Sequence, residues 1–216
     1  MRGATIRGLF AVALALMAGG FSGAQEILDR IVARVENDII LLSDVQALGR
    51  YQQFVDGKLE TPGRILDRLI DQWIVRTEAD VAHFPYPSDE DIDHVLDRLR
   101  SSFTSVGEYE AKKKQSGLQD SEIRRIIGSQ LYLSNYLDSR FRPSVQLDPK
   151  AIEDFYKTAI LPAAKSRGQE PPSLEAARDS IQEALIQEGI NQQADRWLKE
   201  SRLRLHVEKL HEEVAK

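Results

Sequence analysis

The sequence predicts a mainly α protein: an irregular multi-helix domain with a small antiparallel sheet formed by an N-terminal hairpin and a C-terminal strand. Three observations predict it. Apolar residues recur at helical spacing through almost the whole interior of the chain, from Val45 to Leu198. Alternation with a period of two occurs only near the two ends, in Leu28 to Leu42 and in Leu203 to Leu210. No cysteine is present, so a core and not disulfides must hold the fold, and about 190 residues are enough to build one.

Residues 1–24 read as a secretory signal peptide. Arg2 and Arg7 supply a positive start, "LFAVALALMA" a short apolar centre, and "SGA" before Gln25 the small residues of a cleavage site. The apolar run falls short of the roughly 20 residues that span a bilayer. The mature chain is therefore expected from near Gln25, with no stable membrane insertion and with no cysteine to carry a lipid anchor.

The stretch "LDRIVARVENDIILLSDVQ" reads as two strands joined at Asn37-Asp38, with Ser43 and Gln46 forming a capping box for the first helix. Val45, Leu48, Tyr51, Phe54 and Val55 keep helical spacing up to a stop at Gly57. Thr61-Pro62 is a cap followed by a first-turn proline, opening a helix with Ile65, Leu66, Leu69, Ile70, Trp73 and Ile74 on one face. After the break at "HFPYPS", Ser88 and three following acids start a helix striped by Ile92, Val95, Leu96, Leu99 and Phe103. Ser105 and Glu108 form a second capping box for a short helix ending near Gly117.

The next helix, from about Asp120 to Phe141, has an apolar face too wide for a single neighbour, which predicts contacts on two sides. Asp148-Pro149 caps a further helix through Phe155 and Tyr156. The Pro/Gly/polar stretch 162–172 is read as a linker. A long helix follows from Ser173 to about Ser201. The alternation in "LRLHVEKL" then predicts a strand that pairs with residues 28–42, because a lone hairpin is marginal in water and a third strand supports it.

Catalytic constellations are missing from the string. The four histidines show no metal-ligand spacing, and there is no thiol, no phosphate-binding glycine loop and no nucleophile elbow. No cofactor, metal or catalytic residue is assigned. The acids Asp89, Glu90, Asp91, Asp93 and Asp97 lack the calcium-loop glycine and terminal glutamate, and complementation of a helix dipole accounts for them. Lys112 to Lys114 read as a solvated face. The formal charge is −5, becoming −7 once Arg2 and Arg7 leave with the leader, the wrong sign for a nucleic-acid partner.

What remains is a surplus of aromatic and aliphatic residues on irregular helices, which predicts apolar grooves and hence binding. Tyr51, Phe54, Phe103, Tyr109, Tyr132 and Tyr136 are the candidate peptide-binding residues.

"LDRIVARVENDIILLSDV" resembles the N-terminal signature of the SurA-type periplasmic chaperones and peptidyl-prolyl isomerases, with Arg34 and Glu36 departing from the usual pattern. "ILDRLIDQWIVRTEAD", "PSDEDIDHVLDRLRSSF", "DPKAIEDFYKT" and the closing "SLEAARDSIQEALIQEGINQQADRWLKESRLRLHVEKL" resemble further segments of that family in the same order. The family would place one or two parvulin domains of about a hundred residues each after Tyr156, and the stretch to Ser173 is too short for one.

The resemblance thus implies one SurA-like chaperone domain over 25–216, without the isomerase: hairpin and helices in 25–161, the linker, then the helix and strand of 173–210 packing back on the first part. It further implies an ATP-independent periplasmic protein binding unfolded secreted or outer-membrane β-barrel clients, and no enzyme. Residual cis/trans isomerase activity and a structural adaptor for one folded partner are the alternatives.

Overall fold

The structure, a computed structural model, describes residues 29–210. The expected signal peptide lies outside the described residues. The fold class is as the sequence predicts: helices dominate, and one three-stranded antiparallel sheet of order β2-β1-β3 joins the two ends of the chain.

β1 (Ile31–Val35) is the central strand, flanked by β2 (Asp38–Leu41) and β3 (Val207–Lys209). Its residues Val32, Ala33 and Val35 are fully buried, which a strand achieves only when it is covered on both faces. A bulge between Ile31 and Ala33 adds Val32 to the β1 side of the hairpin, and the Val32 carbonyl accepts from the Leu210 amide at 2.9 Å.

The turn sits one residue earlier than the sequence predicts. Val35 pairs with Asp38, so Glu36 and Asn37 form the two-residue loop, and Glu36 adopts a left-handed φ of 54°. That conformation is unfavourable for a glutamate. His206 offsets the cost from the far end of the chain: its carbonyl accepts from the Glu36 amide at 3.0 Å, and its amide donates to Glu36 Oε1 at 2.7 Å.

α1 (Leu42–Asp56) begins directly after β2, with Leu41 as its cap residue. Ser43 therefore lies inside the first turn and caps nothing. Its amide and hydroxyl donate to Asp29, while Asp44 accepts from the Leu41 amide at 3.3 Å. α1 stops at Gly57 in the left-handed conformation (φ 68°). α2 (Pro62–Val81) opens at Thr61 with Pro62 in its first turn, and α3 (Asp89–Ser101) opens on a complete Ser88/Asp91 capping box.

α4 (Val106–Ser116) is capped by Ser105, which accepts from the Glu108 amide; the Glu108 carboxylate reaches past the cap to the Thr104 amide, so the predicted box is offset by one residue. α5 (Asp120–Phe141) is the axial helix, and it packs against α2, α3 and α8 as its wide apolar face predicts. The main core gathers β1, β2 and α1 to α5 around Val32, Leu48, Leu66, Ile70, Ile123 and Ile127.

The predicted linker is half helix. α6 (Pro149–Phe155) runs into a π-helical turn (Tyr156–Ile160) and then α7 (Leu161–Ser166), leaving only residues 167–173 as the connection to α8 (Leu174–Arg202). Pro162 explains the widened turn. Its ring would strike the carbonyl four residues back in a regular helix, and here the Leu161 amide donates to the carbonyl of Tyr156, five residues back. Composition marked this proline as a breaker; the chain goes around it instead.

α6, the π-helical turn and the first half of α8 enclose a separate small core of Ile152, Ala177 and Ile181. The second half of α8 returns to the main body, where Trp197 packs on Phe141 at 5.9 Å. At its end Arg202 binds Asp71 at 2.6 Å and Asp67 at 3.3 Å, and Lys209 of β3 binds Asp67 at 2.8 Å. The predicted strand is shorter than its alternating run: only Val207–Lys209 pairs with β1, and Leu203 is exposed in the turn that follows α8.

Candidate functional site

The six aromatics proposed from sequence fall into two separate clusters, and neither is an open apolar face. Phe54 of α1 stacks on Phe103 at 5.3 Å, and Tyr109 of α4 meets both edge-on at 5.5 and 5.4 Å. Tyr51 is buried one turn before Phe54. In the second cluster Tyr132 and Tyr136 of α5 pack against Phe84 and Tyr86 from the α2–α3 connection.

Tyr51, Phe54, Tyr109, Tyr132 and Tyr136 are each below one-tenth exposed, and Phe103 is half-buried. In this conformation they pack within the fold, and Phe54 also lines a cleft with Lys112 and Gln115. Five of them lie on the inward stripes of their helices, where an aromatic side chain fills the most volume, and Phe103 packs from the bend that follows α3.

Burial, with Asp56 nearby, pushes the Tyr51 phenol up to about 12. Burial and then the hydrogen bond from Tyr132 to Asp80 Oδ1 at 2.8 Å push Tyr132 to about 12 as well. Both stay neutral across the physiological range and serve as apolar bulk.

An accessible apolar site is found elsewhere, at the free side of β2. Ile39, Ile40, Ala47, Leu48, Leu69, Trp73 and Ile126 line a cleft of about 160 Å³ between β2, α1, α2 and α5. Ile39 is 51 % exposed. The volume is below the roughly 300–1,000 Å³ of sites for drug-sized ligands, and it suits one or two side chains of a larger partner. Trp73 forms one wall, its indole Nε1 donating to Asp38 Oδ2 at 2.8 Å.

Polar groups ring this floor. Asp44 is occupied by the Leu41 amide, and Arg76 donates to the Ser129 hydroxyl at 2.7 Å. Arg125, Gln72 and Gln130 complete the rim. Neighbouring arginines are paired: Arg50 with Glu122 at 2.9 Å, and Arg124 with Asp89 and Asp93. Among the described residues Arg76 and Arg125 hold no carboxylate. In a chain with excess acid, the cleft carries two guanidinium groups without counter-ions.

Sequence reasoning missed this site. Trp73 was assigned to the core stripe of α2, where it is only half-buried, and Arg76 and Arg125 carry no local motif. One signal was present. Ile39, Ile40 and Leu41 are consecutive aliphatics, and an edge strand with a single covered face cannot bury neighbours that point to opposite sides.

The acids of α3 resolve into ordinary roles. Asp91 closes the cap on Ser88, which holds its carboxyl below the usual range, and Asp89 and Asp93 pair with Arg124.

No family model matches the chain. It is similar to chaperone SurA of Alkalilimnicola ehrlichii, 23% identical over 166 residues. The match covers 71% of this chain and 37% of that protein, so the chain spans little more than a third of the relative's length. Among the described residues no helix is long and apolar enough to cross a membrane.

Proposed function

We propose that the protein is an ATP-independent chaperone that holds unfolded polypeptides without chemistry. The observation that carries this reading is the similarity to chaperone SurA over 71% of the chain. The exposed apolar cleft beside a free strand edge supports it, since extended chains present both backbone and alternating side chains.

The reading extends to a periplasmic location after removal of residues 1–24, and to outer-membrane β-barrel proteins in transit as clients. It assigns no cofactor and no catalytic residue. Binding is micromolar or weaker, because release without nucleotide hydrolysis requires a fast off-rate.

Aggregation suppression tests it. The mature chain, at a few-fold molar excess, lowers the light scattering of an unfolded β-barrel protein diluted from urea, and does so for several such clients. No effect on any of them would sink the proposal, and co-purification with a single folded stoichiometric protein would favour an adaptor. A protease-coupled assay with a proline tetrapeptide gives a rate equal to the uncatalysed one; a clear acceleration would restore the isomerase reading.

A further inference from the structure

The free edge of β2 and the charge on the cleft rim together define what kind of segment fits there. The argument rests on the chaperone reading and narrows it to a class of sequence.

Val35 and Asp38 flank a two-residue loop and so form a hydrogen-bonded pair; alternation makes Arg34 and Ile39 the next, non-bonded pair. The Ile39 amide and carbonyl therefore point away from β1, towards the outer edge, where no strand lies among the described residues. The Leu41 amide also faces outward, but Asp44 occupies it. One residue's donor and acceptor are left for a partner backbone. Directly beside them lie the apolar cleft floor and Trp73, and across that floor stand Arg76 and Arg125.

We propose that this edge and cleft bind an extended client segment by strand addition at Ile39, with an apolar side chain in the cleft and an adjacent acidic side chain paired to Arg76 and Arg125. Charge complementarity selects this occupant. The chain carries excess acid, and Arg76 and Arg125, neither paired with a carboxylate among the described residues, can each take a client carboxylate beside the apolar floor without displacing another. Two backbone hydrogen bonds and a side chain or two give weak binding, as release demands.

The probe is a dansyl-labelled dodecapeptide, acetylated and amidated, alternating Phe and Thr around a central Glu; its blocked ends remove any terminal carboxylate. Fluorescence anisotropy should show about tenfold weaker binding of this peptide to the Arg76→Glu/Arg125→Glu protein, and recovery with a peptide carrying Lys in place of Glu.

N-methylation of alternate peptide amides, which blocks strand pairing and leaves the protein untouched, should weaken binding by a similar factor. Equal affinity for the Glu and Lys peptides, or for methylated and unmethylated ones, overturns the inference. So does a concentration-dependent dimer in sedimentation that Ile39→Lys abolishes, because the occupant is then a second copy.

The readouts separate the two ideas. Aggregation suppression by wild-type protein that this peptide does not bind to would remove the site and keep the chaperone; peptide binding without suppression would do the reverse.

Discussion

At the residue scale, Tyr109 shows how a polar atom can sit in an apolar core at little gain. Its hydroxyl has no hydrogen-bond partner among the described residues, and its ring meets the stacked Phe54 and Phe103 edge-on with Arg100 and Lys113 at 5.8 and 5.5 Å. Tyr109→Phe should be neutral or stabilising by up to about 1 kcal/mol, since it removes a desolvated group without opening space. Tyr109→Ala should cost about 3–5 kcal/mol through the cavity it leaves. Urea unfolding midpoints of both variants check this.

Glu108 gives the pH dependence. Hydrogen bonds from Lys112 and then Thr104 lower its carboxyl from 4.5 to about 2. Its contribution is present above the unfolded value and is lost as pH falls from about 4.5 through about 2. Glu108→Gln should lower the unfolding midpoint at neutral pH, where the ionised carboxylate contributes, and converge on the wild type near pH 2, so that the fall across that window is flatter.

Residue identity was readable from the chain where one local pattern decides the role. Ser88 and Gly57 behave as their neighbours dictate, whereas Ser43 does not, because β2 runs straight into α1 and moves the cap to Leu41.

At the element scale, Ser88→Ala should lose about 1 kcal/mol, the usual worth of a side-chain cap, read by thermal unfolding. A second expectation concerns the small lobe of α6, the π-helical turn and the first half of α8. Its core is only Ile152, Ala177 and Ile181 with partly buried neighbours, against nineteen buried residues in the main cluster. Amide exchange should therefore show the lobe opening well below the free energy of global unfolding, and α5 and β1 opening only with it.

Apolar periodicity placed every long helix to within a residue or two, because burial of one face is a property of the sequence itself. The π-helical turn was not readable. It depends on how a helix accommodates Pro162, and composition alone favoured a linker. The cleft was hidden for a related reason: Ile39, Trp73, Arg76 and Arg125 come from three elements, and only packing brings them together.

At the scale of the whole molecule, the two ends hold each other. Alternation at both ends was enough to predict the shared sheet, although β3 keeps three paired residues where the pattern offered eight. Deleting 203–216 removes β3, both Glu36 anchors and the Lys209–Asp67 pair. The unfolding temperature should fall by roughly 10 °C or more, since a loss of several kcal/mol moves a domain of this size that far. Calorimetry checks the value. A change of less than about 2 °C would show that the sheet does not depend on its third strand.

The bond between Glu36 and His206 spans 170 residues of sequence. A chain synthesised or exported from its N-terminus therefore carries an open β1 edge until residues 206–210 arrive. Closure of the sheet joins residues far apart in sequence, a kind of contact that topology makes slow to form. For most of its own passage the protein is in the condition of the chains it is proposed to protect.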